Sequence, residues 1–224
     1  MLASDRSLRL TEIFCSLQGE SSWSGRRTVF VRLTGCPLRC SYCDTAYAFQ
    51  GGELYSLEQI ITQVKACAAN YVCVTGGEPL AQKNCIPLLT MLCDEGFNVS
   101  LETSGAIQIS GVDSRVKRVV DLKTPSSGEQ QKNLYSNVEQ LAELDEVKFV
   151  IGSREDYLWM KATIEEHRLN HIVGEILVSP VFAIEANRSE IDLALLANWI
   201  IEDKLPVRMQ LQMHKLIWGD KPGH

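Results

Sequence analysis

The sequence has no apolar run of about 18 or more residues, the length that a membrane-crossing helix needs, so no membrane role is expected. It also lacks an excess of basic charge: 22 Lys and Arg stand against 28 Asp and Glu, for a formal charge of -6. That balance argues against a general nucleic-acid binder, which carries a basic surface for phosphates. The opening stretch MLASDRSLRL has no apolar core of the kind a secretion signal requires. A cytoplasmic setting is therefore expected, in which the eight cysteines stay reduced. No internal repeat or domain linker is visible, and one domain over residues 1–224 is the expectation.

What is present suffices for a substantial core, since 45% of the 224 residues are hydrophobic. From residue 28 short β-branched runs alternate with helical patterns, as a parallel sheet wound by right-handed crossovers requires. Strands are expected over 28–33, 71–75, 97–102, 118–122, 146–151 and 175–179. Such a set makes an α/β fold, an incomplete barrel of the TIM type with about six strands. Ser56 and Gln59 form a capping box that starts a helix reaching Ala68, and Gly96 ends a helix containing Leu88, Leu89 and Leu92. Later helices cover about 156–167 and 189–202. The polar stretch 124–137 reads as a long loop, mobile or closing over a ligand.

In such folds the loops after the strand C-termini carry the chemistry. The first of them, Cys36-Pro37-Leu38-Arg39-Cys40-Ser41-Tyr42-Cys43, has CxxxCxxC spacing. It supplies three thiolates where a cubane 4Fe-4S cluster has four irons, which leaves one iron open to a chelating ligand. The competing reading is a structural zinc site, which wants four protein ligands; there is no second knuckle, and His171 or His214 would be a distant fourth ligand. Cys67, Cys73, Cys85 and Cys93 lie among apolar residues and read as buried structural thiols, while Cys15 has no partner at ligand spacing. After the second strand, Gly76 and Gly77 would let the backbone approach a ligand closely, with their amides binding its amino-acid end.

Cys36, Cys40 and Cys43, with Tyr42 before the third cysteine and Gly76-Gly77-Glu78-Pro79 after the second strand, resemble the radical S-adenosylmethionine superfamily. The resemblance implies that S-adenosylmethionine chelates the open iron and is cleaved by one electron to a 5'-deoxyadenosyl radical, which takes hydrogen from the substrate. A narrower resemblance rests on Leu17-Gln18-Gly19-Glu20, Gly25, Val29-Phe30-Val31-Arg32-Leu33, Cys43-Asp44-Thr45 and His214. It is to the 7-carboxy-7-deazaguanine synthase family of queuosine biosynthesis, and it is most specific over residues 11–45. The implied reaction converts 6-carboxy-5,6,7,8-tetrahydropterin to 7-carboxy-7-deazaguanine with loss of ammonia.

That resemblance assigns the cluster to Cys36, Cys40 and Cys43 and a magnesium ion to the Thr45 hydroxyl. It places Tyr42, Cys43, Asp44 and Gly77 against S-adenosylmethionine, with Asp121, Leu122, Lys123 and Ser179 along the nucleoside half. Leu17, Gln18, Gly19 and Arg32, in an N-terminal substrate-binding segment at about 11–33, are implied to bind the pterin together with Thr75 and His214. Glu20 would move a proton or hydrogen-bond the ring. Strand parity sets Arg32 opposite Val29, Val31 and Leu33, on the face of Phe30, where a planar cation suits a carboxylate; the plain alternative is a surface arginine on an edge strand. From chemistry alone Asp44 is the more obvious metal ligand and Thr45 a turn cap. A homodimer and an electron donor such as flavodoxin are the implied partners. The rival readings are a small radical enzyme that activates a partner protein, and a nonenzymatic metal-binding module.

Overall fold

The computed structural model describes residues 6–183, 188–189, 191–219, 221 and 223. The chain runs through β1 (Ser7–Leu17), β2 (Arg27–Leu33), β3 (Glu53–Ser56), α1 (Leu57–Ala66), β4 (Tyr71–Gly76), α2 (Cys85–Asp94), β5 (Asn98–Thr103) and β6 (Lys117–Asp121). It continues with β7 (Glu146–Ile151), α3 (Arg154–Glu166), β8 (Glu175–Pro180), the small pair β9 (Phe182–Ala183) and β10 (Arg188–Ser189), α4 (Leu193–Glu202), β11 (Arg208–Met209) and α5 (Met213–Trp218). One sheet of nine strands has the order β11-β8-β7-β6-β5-β4-β2-β1-β3. Its centre is the parallel set β2, β4, β5, β6, β7 and β8, the expected strands shifted by a residue or so at their ends. The edges β11 and β3 do not pair with each other, so the barrel stays incomplete.

β1, β3 and β11 were not among the expected strands. β1 pairs antiparallel with β2 in register Phe14↔Phe30 and Glu12↔Arg32, but its register shifts between Leu10 and Glu12. A bulge there reverses strand parity. Leu8 and Leu10 consequently enter the core beside α1, while Glu12 and Phe14 share the opposite face with Arg32 and Phe30.

The helices cover the outside of the sheet and the core lies between. One apolar cluster joins Val29, Val31, Leu33, Val72 and Val74 to Ile60, Val64, Leu88 and Leu92; a second joins Val147, Phe149 and Val178 to Tyr157, Met160 and Leu196. Each such side chain contributes about 1.5–3 kcal/mol by leaving water. Ser56 and Gln59 do form a capping box, and α3 has its own, from Ser153 and Asp156. α4 begins at Leu193, with Asp192 as its cap, later than expected because Ser189 belongs to β10.

The stretch 124–137 is not a free loop. It folds into short 3-10 turns at Pro125–Ser127, Gln130–Lys132 and Tyr135–Gln140, with Thr124, Ser127 and Asn137 buried. Buried Asp156 accepts the Ser126 amide at 2.8 Å and so fastens this stretch to α3.

Candidate active site

The cysteine loop leaves β2 at the C-terminal rim of the sheet, and its three thiols are half-buried in the wall of the main cavity. Groups other than sulfur hold its shape. Ser41 donates its amide to Ser127 O at 3.0 Å and its hydroxyl to Ser126 O at 2.6 Å, and the Arg39 amide donates to Glu129 at 2.6 Å. Burial pushes the Cys40 thiol up to about 11 and also raises Cys36 and Cys43, so ionisation calls for a bound cation. Among the described residues no group of three or more His, Cys, Asp or Glu converges on a single ion. A cubane takes one thiolate per iron, so three thiols would serve three irons and leave the fourth open. Cys73, Cys85 and Cys93 are buried in the core as expected, Cys67 is only partly buried against it, and Cys15 is exposed.

The Gly76-Gly77 turn serves the protein first. A Cβ on Gly76 would lie 2.2 Å from Leu33 O, and one on Gly77 would lie 2.3 Å from Gly35 O. Here the expectation for the Gly77 amide is corrected: Gly77 N donates to Leu33 O at 3.1 Å and is not open to a ligand, and the next amide, of Glu78, donates to Gly35 O at 2.8 Å. Gly77 still lines the cavity and can offer only its carbonyl, an acceptor suited to an ammonium group. Glu78 is fully buried and accepts from Thr103 Oγ1 at 2.9 Å and from the Ser104 amide at 2.7 Å, which ties the β4 and β5 loops together.

The β1–β2 connection folds into the barrel. Gln18 and Arg26 close it with a 2.8 Å bond, and Gly25, at φ +84, makes the turn. Buried Gln18 donates to Glu102 at 3.3 Å, and Thr75 donates to the other oxygen of the same carboxylate at 3.2 Å. Gly19 does not line the cavity itself but lies under His214: a Cβ there would stand 2.0 Å from His214 Nδ1. Glu20 is not a solvated loop acid. Lys148 donates to it at 2.8 Å and Gln212 at 2.7 Å, and although burial works to raise its pKa, Lys148 and His214 hold it below the ordinary carboxylate range.

Arg32 faces the cavity on the side of Phe30, as strand parity required. Its Nε donates to Glu12 at 2.7 Å, its two Nη groups have no acceptor among the described residues, and its guanidinium lies 5.8 Å from the ring centres of Phe14 and Tyr47. On the other side of the cysteine loop, Thr45 caps no turn with its side chain; its hydroxyl donates to Asp44 at 2.8 Å. Burial opposes ionisation of Asp44, but the Lys215 ammonium at 2.8 Å outweighs it and holds the carboxyl far below its usual range.

At the β6 loop, Lys123 donates to Asp121 Oδ2 at 2.9 Å, while Asp121 Oδ1 is buried with no partner among the described residues. Gln210 Oε1 is likewise unsatisfied, and its amide nitrogen donates to Ser179 at 3.1 Å. Unpaired buried acceptors cost about 1–3 kcal/mol each and fit a ligand rich in hydroxyl and amino donors. Tyr42 lies nearby, its phenol raised to about 12 by burial and the Asp121 charge. Leu122 is the exception in this set, since its side chain belongs to the core. Lys148, Glu102, Tyr47, Gln212 and Lys215 also line the cavity and were not singled out in the sequence; their partners lie far away along the chain. The terminal His224 lies outside the described residues.

Residues 30–180 match the radical SAM superfamily. The chain is 41% identical over 219 residues to the 7-carboxy-7-deazaguanine synthase of Koribacter versatilis, covering 94% of this chain and 97% of that one. It is 43% identical over 223 residues to the protein of the same name from Chlorobaculum tepidum, covering 97% of each. The crystal structure of QueE from Escherichia coli shares the fold, with a TM-score of 0.75 at 22% identity over 95% of this chain and 96% of that one. Identity at this level, end to end with relatives of one name, means that this chain belongs to the radical SAM superfamily and within it to the 7-carboxy-7-deazaguanine synthase family.

Proposed function

We propose that the cavity binds 6-carboxy-5,6,7,8-tetrahydropterin and converts it to 7-carboxy-7-deazaguanine with release of ammonia. The observation that carries this reading is the lining of one cavity by the three thiols and by Arg32, a planar cation with two unbonded Nη groups. When bound at Cys36, Cys40 and Cys43, a 4Fe-4S cluster with S-adenosylmethionine supplies one-electron reduction and hydrogen-atom abstraction.

The protein's own residues do the rest. The Gly77 carbonyl accepts from the cofactor's amino group, and the free Asp121 oxygen and Ser179 take donors of its nucleoside half, with Tyr42, Asp44 and Lys123 around them. Leu17, Gln18 and Thr75 frame the pterin, with Gly19 beneath His214 and so setting the place of that ring. Glu20, held ionised by Lys148, accepts hydrogen bonds from the ring edge. Thr45 gives its proton to Asp44 and so turns its lone pairs outward, as a magnesium ligand must. A one-electron donor such as flavodoxin, a cytoplasmic setting and a homodimer complete the proposal; for the last, α4 offers Leu193, Leu195 and Ile201 exposed on one helix.

The test is anaerobic incubation of iron-reconstituted protein with carboxypterin, S-adenosylmethionine, magnesium and a reductant, with product analysis by mass spectrometry. 7-Carboxy-7-deazaguanine is the expected product. Arg32→Ala should weaken carboxypterin binding at least tenfold and leave reductive cofactor cleavage intact, because it removes a charge-assisted contact and no cluster ligand. Cofactor cleavage with no deazaguanine formed would overturn the assignment.

A further inference from the structure

Arg32 does not stand alone. Its Nε donates to Glu12 at 2.7 Å, and the same carboxylate oxygen, Oε1, accepts the Tyr47 hydroxyl at 2.8 Å. Both members of the ion pair are mostly covered, with 15% of the arginine side chain and 20% of the glutamate exposed. The bulge between Leu10 and Glu12 is what makes this possible: with unbroken alternation Glu12 would share a face with Leu8 and Leu10, in the core. The strand departs from regularity at the one step that turns an acid toward Arg32.

We infer that Glu12 is the positioning residue for Arg32 and decides how the substrate's carboxylate is received. This rests on the reading of Arg32 as the carboxylate site. With Nε committed to Glu12, and the guanidinium 5.8 Å from both the Phe14 and the Tyr47 ring centres, the planar group does not offer its Nε edge to the ligand. The end bearing the two Nη groups is what remains, and it accepts a carboxylate through two parallel bonds. Glu12 also offsets the arginine charge, so an anion that relies on charge alone gains little and one that matches the fork gains most. Tyr47 fixes the second lone pair of the glutamate and belongs to the short helix Ala46–Phe49 that follows the cysteine loop.

The test is equilibrium binding of two ligands, 6-carboxypterin and the same pterin without its carboxylate, to reconstituted protein with S-adenosylmethionine present. Glu12→Ala is expected to weaken the carboxylated ligand roughly tenfold and to leave the other within about twofold. Glu12→Gln keeps an acceptor for Nε and should recover most of the loss; it also serves if the alanine variant does not fold. Tyr47→Phe should show a smaller loss with the same ligand selectivity. If Glu12→Ala binds carboxypterin as the parent does while Arg32→Ala does not, or weakens both ligands equally, Glu12 is not a positioning residue. If Arg32→Ala itself binds carboxypterin unchanged, it is the underlying reading of Arg32 that fails.

Discussion

Lys148→Met removes the cation shared by two buried carboxylates, and its effect on stability has a pH dependence of predictable sign. Lys148 Nζ lies 2.8 Å from Glu20 and 3.7 Å from Asp121. In the intact protein Glu20 is depressed: burial raises it, but Lys148, His214 and Gln212 outweigh burial. A depressed acid adds stability above its unfolded pKa and loses it as pH falls through the folded one. Without Lys148 the burial that remains lifts Glu20 above its ordinary range, so the sign reverses and the penalty is full at neutral pH and released by acid. Breaking a buried pair by removing one partner costs about 3–5 kcal/mol. Gln212 still reaches Glu20 at 2.7 Å and Lys123 still reaches Asp121 at 2.9 Å, which brings the expected loss to about 2–3 kcal/mol. Urea unfolding of the metal-free protein should show that loss at about pH 8 and less than half of it at about pH 5.5. The double variant Lys148→Met/Glu20→Gln should recover roughly 1 kcal/mol or more at the higher pH. Equal losses at both pH values, without recovery, would refute the reasoning.

Three other outcomes are expected. Gly19→Ala would put a Cβ 2.0 Å from His214 Nδ1 and 3.0 Å from its backbone nitrogen, so His214 must move; carboxypterin affinity should fall roughly tenfold with cofactor cleavage retained, read by titration. Cys40→Ala should lose iron on reconstitution whereas Cys85→Ala keeps it, at about 1 kcal/mol in stability; iron assay and thermal melts separate the two thiol classes. Glu78→Ala strands Thr103 and Ser104 and should cost about 2–4 kcal/mol, seen as a drop in melting temperature with secondary structure retained below it.

The parallel centre of the sheet was legible because β2, β4, β7 and β8 are short, β-branched and buried on both faces, a pattern that composition alone reveals. β1 was not, since its bulge breaks the alternation that would have marked it, and Arg9, Thr11 and Glu12 interrupt its apolar residues. The side of the sheet that Arg32 faces could be read from parity; its partner Glu12 could not, because that parity changes one residue upstream of it. The cysteines announce themselves by spacing within eight residues. By contrast Lys148 meets Glu20 across 128 positions and Gln212 meets it across 192, and no local signal connects such pairs. The stretch 124–137 hides its role for a similar reason: the Ser126 carbonyl and amide and the Glu129 side chain are there not for solvent but for Ser41, Asp156 and Arg39.

That brace has a practical consequence for a protein whose iron is vulnerable to air. Because Ser126, Ser127 and Glu129 grip the cysteine loop through oxygen atoms, its shape does not rest on sulfur ligation alone. Stripping and refilling are thereby separated from folding, and a batch bleached by oxygen should be restored by iron, sulfide and reductant alone, without passing through a denatured chain.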